Sequence, residues 1–407
     1  MSVEIRSPRE DELTDYLRVV RYVFSMSMLE DDQDKRAKWQ FDPERAVCAF
    51  VDGELVSTFG AYDFTVQLNG TPVPLAGVTN VGTLPGFRGR GFVRELVTQG
   101  LADARERGES CSMLWASFGG IYQRFGYGLA SALVKYQWDP RYGQLTGAPS
   151  AGGSMAIVTL SEGREIAEQV HGEYVRPRNL MIVRGERDWQ GIFEPESFQT
   201  KYQRMAIYRN AAGEPRGFML LRNRDEEDAL EPGPNQFLTV NDFTALDVDA
   251  YRGMWEFLAS HDLVREVTME RVPEDDPAAL MLLEPRTLHR RTGDAMWLRV
   301  ADAELALGQR PYGAAGTLTL RVVDEICDWN AGTYHIESDG VESRVKRVDA
   351  DADLVVPVER LSQLISGYAS ASELSRLDLI EVGDASVLST ADAMFATAYR
   401  PFCQDGF

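Results

Sequence analysis

The sequence predicts an α/β chain of the α+β kind, with helices laid on mixed sheets in more than one domain. Three observations lead there. Asp52-Gly53 and Asn69-Gly70 cut a long apolar stretch into strand-length runs, and both dipeptides suit two-residue hairpin turns, which need positive φ at both positions. Helical periodicity flanks those strands, and a strand-helix alternation recurs in the middle of the chain. At 407 residues, 44% of them hydrophobic and 26% charged, the chain can fill two or three separate cores.

Taken in order, SPREDELTDYLRVVRYVFS opens with Ser7 and an acidic first turn and spaces Leu13, Leu17, Val20 and Phe24 as one helical face. Residues 46–85 supply three or four antiparallel strands around the two hairpin dipeptides. FVRELVTQGLADARERG reads as a helix stopped by Gly108, SMLWAS as a short strand, GIYQRFGYG as a short helix and SALVKYQW as a further strand. These elements predict a first domain over 1–145, an ordinary domain size. In 146–293, RMAIYRNAAGEPRGFMLLRNRD reads as a hairpin, DVDAYRGMWEFLASHDLV as an amphipathic helix and REVTMERV as a strand. In 294–407, AMWLRVAD is followed by the strand runs GTLTLRVVD, GTYHIES, ESRVKRV and ADLVVPV, then by helices through ERLSQLISG and TADAMFATAY.

A formal net charge of -21 and a pI near 4.7 argue against a nucleic-acid partner, whose phosphates the chain would repel overall. No apolar run approaches the roughly 18 residues of a membrane span, and MSVEIRSPREDELTDYL has no apolar leader core, so the expectation is a cytoplasmic protein. Cys48, Cys111, Cys327 and Cys403 lie far apart with no C-x-x-C pairing. That spacing predicts neither a zinc site nor a disulfide scaffold, only buried apolar thiols, and no metal is expected.

Against this acidity, LPGFRGRGFVRELV at 84–97 sets Arg88, Arg90 and Arg94 among Gly86, Gly89 and Gly91, where a strand hands over to a helix. Glycines let backbone N–H groups approach a ligand, and a helix N-terminus favours negative charge, so the stretch suggests a phosphate cradle. A Walker A loop would need a Lys-Ser/Thr ending, which is missing. A dinucleotide fingerprint starting at Gly89 would meet Arg94 where its third glycine belongs.

The run from Val81 to Val93 resembles the V-x-V-x-P-x-x-R-x-x-G-x-G/A signature of the GNAT superfamily of acyl-CoA-dependent N-acetyltransferases, with Thr83 at the second hydrophobic position and Val93 at the last small one. The resemblance implies a strand splayed from its neighbour, with Val81 and Thr83, and Gly82 between them, along the pantetheine arm and acetyl group of acetyl-CoA. It implies Arg88, Gly89, Arg90, Gly91, Phe92, Val93 and Arg94 around the pyrophosphate, and Ser117 and Phe118 as further coenzyme contacts. GGIYQRFGYG at 119–128 is similar to the superfamily's Tyr-x-x-x-Gly-Phe/Tyr helix, which assigns Tyr122 as proton donor to the departing thiolate. A free phenol near pKa 10 and a thiol near about 8.5 differ little enough for that transfer.

Over nearly its whole length the chain resembles the Eis branch of the superfamily, although the sharp motifs lie between 81 and 128. That implies a catalytic GNAT domain over 1–145, a second GNAT-like domain over 146–293 without a glycine turn, and a sterol-carrier-protein-like domain over 294–407. It implies a homo-hexamer. It also implies that the C-terminal carboxylate, here that of Phe407, accepts the amine proton. His171, His261, His289 and His335 all fall outside the first domain and in no catalytic motif.

For the acceptor, LEDDQDKRAKW offers Asp31, Asp32 and Trp39, and the chain end offers Asp405, as groups able to attract and stack a polycation; a solvated loop explains the same charges. The resemblance implies acetyl transfer to primary amines of aminoglycosides, lysine side chains or other polyamines, a choice the acidic balance only permits. Two other readings share these motifs: a GNAT-fold transferase with another acyl or aminoacyl donor, and a non-catalytic acyl-CoA- or lipid-binding protein.

Overall fold

The computed structural model describes residues 2–28, 38–193, 203–225 and 233–407; Asp31 and Asp32 lie outside the described residues. Two compact units emerge. One comprises the chain up to Ala130, Ala295–Thr397 and Gly406–Phe407; the other comprises Ser131–Asp294 and Ala398–Asp405.

The first stretch contributes β1 (Val3–Arg6), β2 (Ala46–Val51), β3 (Glu54–Leu68), β4 (Thr71–Thr83), β5 (Cys111–Trp115) and β6 (Gly128–Leu129). Then come β7 (Ala132–Trp138), β8 (Ser154–Val158), β9 (Gln203–Arg209), β10 (Pro215–Asp225), β11 (Gln236–Ala245), β12 (Val264–Val272), β13 (Arg291–Asp294) and β14 (Met296–Val300). One sheet runs β1-β2-β3-β4-β5-β14-β6 and another β8-β9-β10-β11-β12-β7-β13.

Both predicted hairpins form. Asp52 and Gly53 (φ 50° and 85°) join β2 to β3, and Asn69 and Gly70 (φ 48° and 89°) join β3 to β4, with Val51 facing Glu54 and Leu68 facing Thr71. The period of two along β3 sorts its side chains between two helices. Phe59 and Ala61 pack with Leu96, Val97 and Leu101 of the helix Phe92–Glu106. Gly60, on the other face, is approached by Tyr16 of the helix Leu13–Val23 and by Phe41. Burying Leu96 and Leu101 fully stabilises the first unit by roughly 2 kcal/mol each.

The opening helix is rotated from the expected face. Tyr16, Val19 and Val20 carry its packing, Leu13 and Leu17 are half-buried, and Phe24 is exposed. Adjacent apolar residues in LRVVRYVF permit either face, and the space beside Phe41 and Cys48 selects the one with the tyrosine.

The strand pairing crosses the expected boundaries at 145 and 293. SALVKYQW lies in the stretch expected of the first domain, yet β7 pairs with β12 and β13 of the second sheet; AMWLRVAD opens the stretch expected of the third, yet β14 pairs with β5 and β6 of the first. In order of position the two sheets match strand for strand, and the sixth strand of each adjoins in sequence the seventh strand of the other. Val134, Tyr136 and Trp138 alternate inward, and Trp138 meets Trp255 at 4.7 Å between ring centroids in the second core. Alternation of this kind fits either sheet, so only packing chooses the partner.

The remaining strands, β15 (Ala315–Val323), β16 (Gly332–Asp339), β17 (Ser343–Val348), β18 (Leu354–Pro357) and β19 (Glu381–Val382), form a sheet ordered β17-β16-β15-β18-β19. The predicted helices appear as Val358–Ser366 and Leu388–Phe395. Arg299 on β14, fully buried, donates to both carboxylate oxygens of Asp324 at 2.7 and 2.8 Å and to the Phe125 carbonyl at 2.8 Å. Removing one partner of such a pair strands a buried charge. All four cysteines are buried and free. Among the described residues no helix is long and apolar enough to cross a membrane, and no cluster of metal-ligating side chains occurs.

Candidate active site

The site begins where β4 and β5 part. They pair in parallel only at Ala76–Ser112 and Gly77–Met113, so among the described residues the β5-facing edge of residues 78–83 has no strand partner. A bulge sharpens the divergence. Asn80 sits at φ 55°, and the β3 register slips between Thr58–Gly82 and Gly60–Thr79. Two hydroxyls on β3 brace the bulged strand: Thr58 Oγ1 donates to the Asn80 carbonyl at 2.7 Å and Ser57 Oγ to the Gly82 carbonyl at 2.9 Å.

The chain then turns through Pro85–Phe87 into a loop whose Gly89 and Gly91 have φ of 76° and 87°, values that side chains bearing Cβ rarely adopt. Gly91 starts the helix Phe92–Glu106, and among the described residues no side chain caps it. The Arg94 N–H closes on the Gly91 carbonyl at 3.0 Å, and the rest of the first turn keeps its N–H groups and partial positive charge for something else. Arg88 and Arg90 are held by backbone carbonyls, Arg88 Nε donating to Thr83 at 3.2 Å and Arg90 Nη2 to Gly86 at 3.2 Å.

A cavity of about 670 Å³ runs along these elements. Val81, Gly82, Thr83, every residue from Arg88 to Arg94, and Tyr122 line it, so the sequence-predicted coenzyme residues meet in one cleft with two exceptions. Ser117 and Phe118 are not among the lining residues; Phe118 precedes the helix Gly119–Gln123 and its side chain points to solvent, 69% exposed. Ile121, Arg124 and Phe125 stand in their place; only Phe125, three residues past Tyr122, lies at a helical spacing from the tyrosine that could have indicated it. Val23, which carried no sequence signal, closes the cleft from the opening helix and presses on Gly82, where a Cβ would lie 2.9 Å from it.

Tyr122 is half-buried, and its ring meets Tyr127 edge-on at 5.7 Å. Its hydroxyl makes no hydrogen bond among the described residues. Burial pushes its pKa up to about 12, so the phenol keeps its proton at any physiological pH. Tyr127, deeper, is fixed by a 2.9 Å hydrogen bond with Ser112 on β5.

Phe407 belongs to the same unit. Its ring lies 4.9 Å from that of Phe64 and 6.2 Å from that of Tyr62, over Gly77, where a Cβ would come within 3.3 Å of it. Gly77 is the last residue at which β4 and β5 pair. Trp39 stands at the other end of this aromatic series: it meets Tyr16 at 4.9 Å and Phe41 at 6.1 Å, and Phe41 meets Tyr62 at 5.4 Å.

Asp405 is a correction. Expected to attract a polycation, it accepts from Arg184 Nε at 2.7 Å inside the second unit, and Arg184 also donates to Asp242 at 2.8 Å. Burial raises the pKa of Asp405 despite Arg184, and the carboxylate is committed to that internal pair. Of the histidines, His171 is buried edge-on to Trp189, and burial, with Arg184 nearby, holds its pKa well below the usual imidazole value. It is neutral and structural.

A splayed parallel strand pair, a bulged β4 and a glycine turn opening an uncapped helix define a GNAT acyltransferase. Comparison with known proteins agrees. Family models described as acetyltransferase (GNAT) domains match residues 4–130 and 180–300, and a sterol carrier protein domain matches 303–404. An uncharacterized N-acetyltransferase of Streptomyces avermitilis is 30% identical over 416 aligned residues, spanning 100% of this chain and 99% of that one. The N-acetyltransferase Eis of Mycobacterium tuberculosis is 26% identical over 80% of this chain and 79% of its own. The crystal structure of Eis1 from Mycobacterium abscessus superposes with a TM-score of 0.84 at 26% identity, covering 99% of this chain and 100% of that one. A GCN5-related N-acetyltransferase from Anabaena variabilis shares the fold, with a TM-score of 0.86 at 19% identity over the full length of both chains. The chain belongs to the Eis family of GNAT N-acetyltransferases.

Proposed function

We propose that the protein moves the acetyl group of acetyl-CoA onto primary amines, with aminoglycosides, lysine side chains or other polyamines as the acceptor class, by direct attack of the amine on the thioester. The observation that carries this reading is the unpaired edge of residues 78–83 leading into a helix start that no side chain caps. A pyrophosphate gains there from aimed N–H groups, the helix dipole and three arginines, and an extended pantetheine arm gains from a free strand edge. When bound, acetyl-CoA supplies an activated acyl group; the chain orients it and moves two protons.

In this reading the backbone around Val81 and Thr83 polarises the thioester carbonyl where negative charge develops. As the amine nitrogen forms its bond to the acetyl carbon and the carbon–sulfur bond breaks, the Phe407 carboxylate accepts the ammonium proton and Tyr122 hands its phenolic proton to the departing sulfur. At solution values the first transfer spans about 7 pKa units, or ~9 kcal/mol. The aromatic packing of Phe407 supports a partly desolvated carboxylate, which narrows that gap. With its pKa near 12, Tyr122 stands ~3.5 units above a free thiol, about 5 kcal/mol uphill. Burial raises a thiol too, as it raises Cys48 to about 12, so phenol and sulfur approach one another in the cleft.

Thiol release from acetyl-CoA, followed against a panel of polyamines, aminoglycosides and lysine peptides, tests the reading. Amine-dependent release supports it. Coenzyme binding without such release moves the protein to an acyl-CoA- or lipid-binding role, and release only from longer or aminoacyl donors changes the donor. The homo-hexamer implied by the family resemblance is checked by sedimentation velocity.

A further inference from the structure

The second unit holds a cavity of about 480 Å³ that acyl transfer does not use. It lies at the ends of β11 and β12 and the start of the helix Val248–Ala259, the position in sheet order that corresponds to the coenzyme cleft of the first unit. Phe243, Leu246, Val248, Met269, Val272 and Met281 give it an apolar wall, and its volume falls within the usual range for small-molecule sites.

Arg178 also lines this cavity. Its guanidinium carbon lies 3.8 Å from the ring centroid of Tyr174 and 4.3 Å from that of Tyr399. Among the described residues its side chain makes no hydrogen bond and no ion pair, and its Nε is buried without a partner. Other buried arginines are spent: Arg184 on two aspartates, Arg299 on Asp324, Arg310 on the carbonyls of Ile365 and Phe395. Two tyrosine rings hold the guanidinium in place while its fork stays unused. A planar fork so fixed, in a partly desolvated place, matches the two oxygens of a carboxylate.

Phosphate is the poorer fit. The helix start here carries Asp247, whose carboxylate accepts from the Ala250 N–H at 2.8 Å, and Asp275 lines the same cavity. Asp276 also faces it, but its Oδ1 is satisfied by the hydroxyls of Tyr136 and Tyr251 at 3.1 and 2.8 Å and by the Ala278 N–H at 3.0 Å. We infer that this cavity binds a small organic carboxylate with an apolar body, its head group on Arg178 and its body against Met269 and Met281. Tyr399, Phe402 and Gln404 complete the wall, so an occupant touches the segment of chain that precedes Phe407.

The probes are 4-phenylbutyrate and 4-phenylbutylamine, which share a body and differ in the sign of the head group. Titrated calorimetrically into the full-length protein without acyl donor, the acid is expected to bind, with at least tenfold loss in Arg178→Gln and a smaller loss in Arg178→Lys. In wild-type protein labelled at methionine methyls, the acid is expected to shift Met269 and Met281, a readout that does not depend on any variant folding. Unmoved Met269 and Met281 signals at millimolar acid, equal binding by wild type and Arg178→Gln, or larger shifts from the amine than from the acid would each overturn the inference.

Discussion

Two helices begin at matching places in the two sheets, one after β4 and one after β11, and they begin differently. The first starts on Gly91, left-handed and without a side-chain cap, at the end of a loop carrying Arg88 and Arg90. The second starts on Asp247, whose carboxylate fills the role that a bound anion would take, and reaches its helix from β11 with no intervening glycine loop. The strands diverge in both: β11 and β12 pair only from Gln236–Val264 to Val240–Met269. Past that point Asp242 accepts from the Gln404 side chain at 3.1 Å, and Arg271 donates to the Gln404 carbonyl at 2.6 Å. One fold thus carries an uncapped helix start behind a glycine loop in one copy and a capped helix beside a tethered chain segment in the other. The difference lies in a few residues at the helix start, because N–H groups bonded to a carboxylate are not available to a ligand.

The comparison breaks most easily at Tyr122. The second unit follows β12 with the short helix Ala278–Met281, which has no tyrosine. Tyr122→Phe is expected to lower kcat by ~1000-fold while leaving coenzyme binding near wild type, read by steady-state kinetics beside calorimetry. Since the phenol is protonated up to a pKa of about 12, wild-type kcat should show no alkaline fall attributable to Tyr122 below about pH 11. A wild-type rate for the phenylalanine variant would remove the acid assignment.

Gly91→Asp writes the second unit's carboxylate into the first. It forces a side chain into positive φ and sets a negative charge on the seat, so coenzyme affinity should drop by ~100-fold. Unchanged affinity would mean the pyrophosphate sits elsewhere.

Asp405→Ala tests what the second unit does with the chain end. It leaves Arg184 with Asp242 alone, so one charge-assisted hydrogen bond is lost and urea unfolding should register a loss of about 2 kcal/mol. A neutral result would mean water replaces the carboxylate at no cost.

The smallest effect is expected from Asp247→Ala, which removes the cap. It should cost about 1 kcal/mol and should not add a second coenzyme equivalent per chain, because the glycine loop is still missing. A second equivalent would show that the cap alone closed the seat.

The readable parts of the sequence were those whose geometry is local. Asp52-Gly53 and Asn69-Gly70 impose their turns within four residues, and Gly89 and Gly91 impose the loop in the same way, so turn chemistry sufficed to find both. The short helix bearing Tyr122 is legible from its motif, at a set distance beyond the glycine turn. Val23 was not legible as a cleft wall, since nothing local distinguishes it from core residues that face away. Asp405 misled for the opposite reason: an acidic residue near a chain end reads as solvated, and its burial is set by Arg184, far away in sequence.

By itself, then, the sequence determined the hairpins, the glycine turn, the helix that follows it and the tyrosine helix beyond, because φ preference and short-range periodicity act between neighbours. Tertiary structure alone decided that β7 and β14 trade sheets, that Asp405 is spent on Arg184, and that Arg178 lies between two tyrosines without a carboxylate. Each of these depends on which distant side chains arrive at the same place. An alternating strand or a lone charge carries no record of its partner.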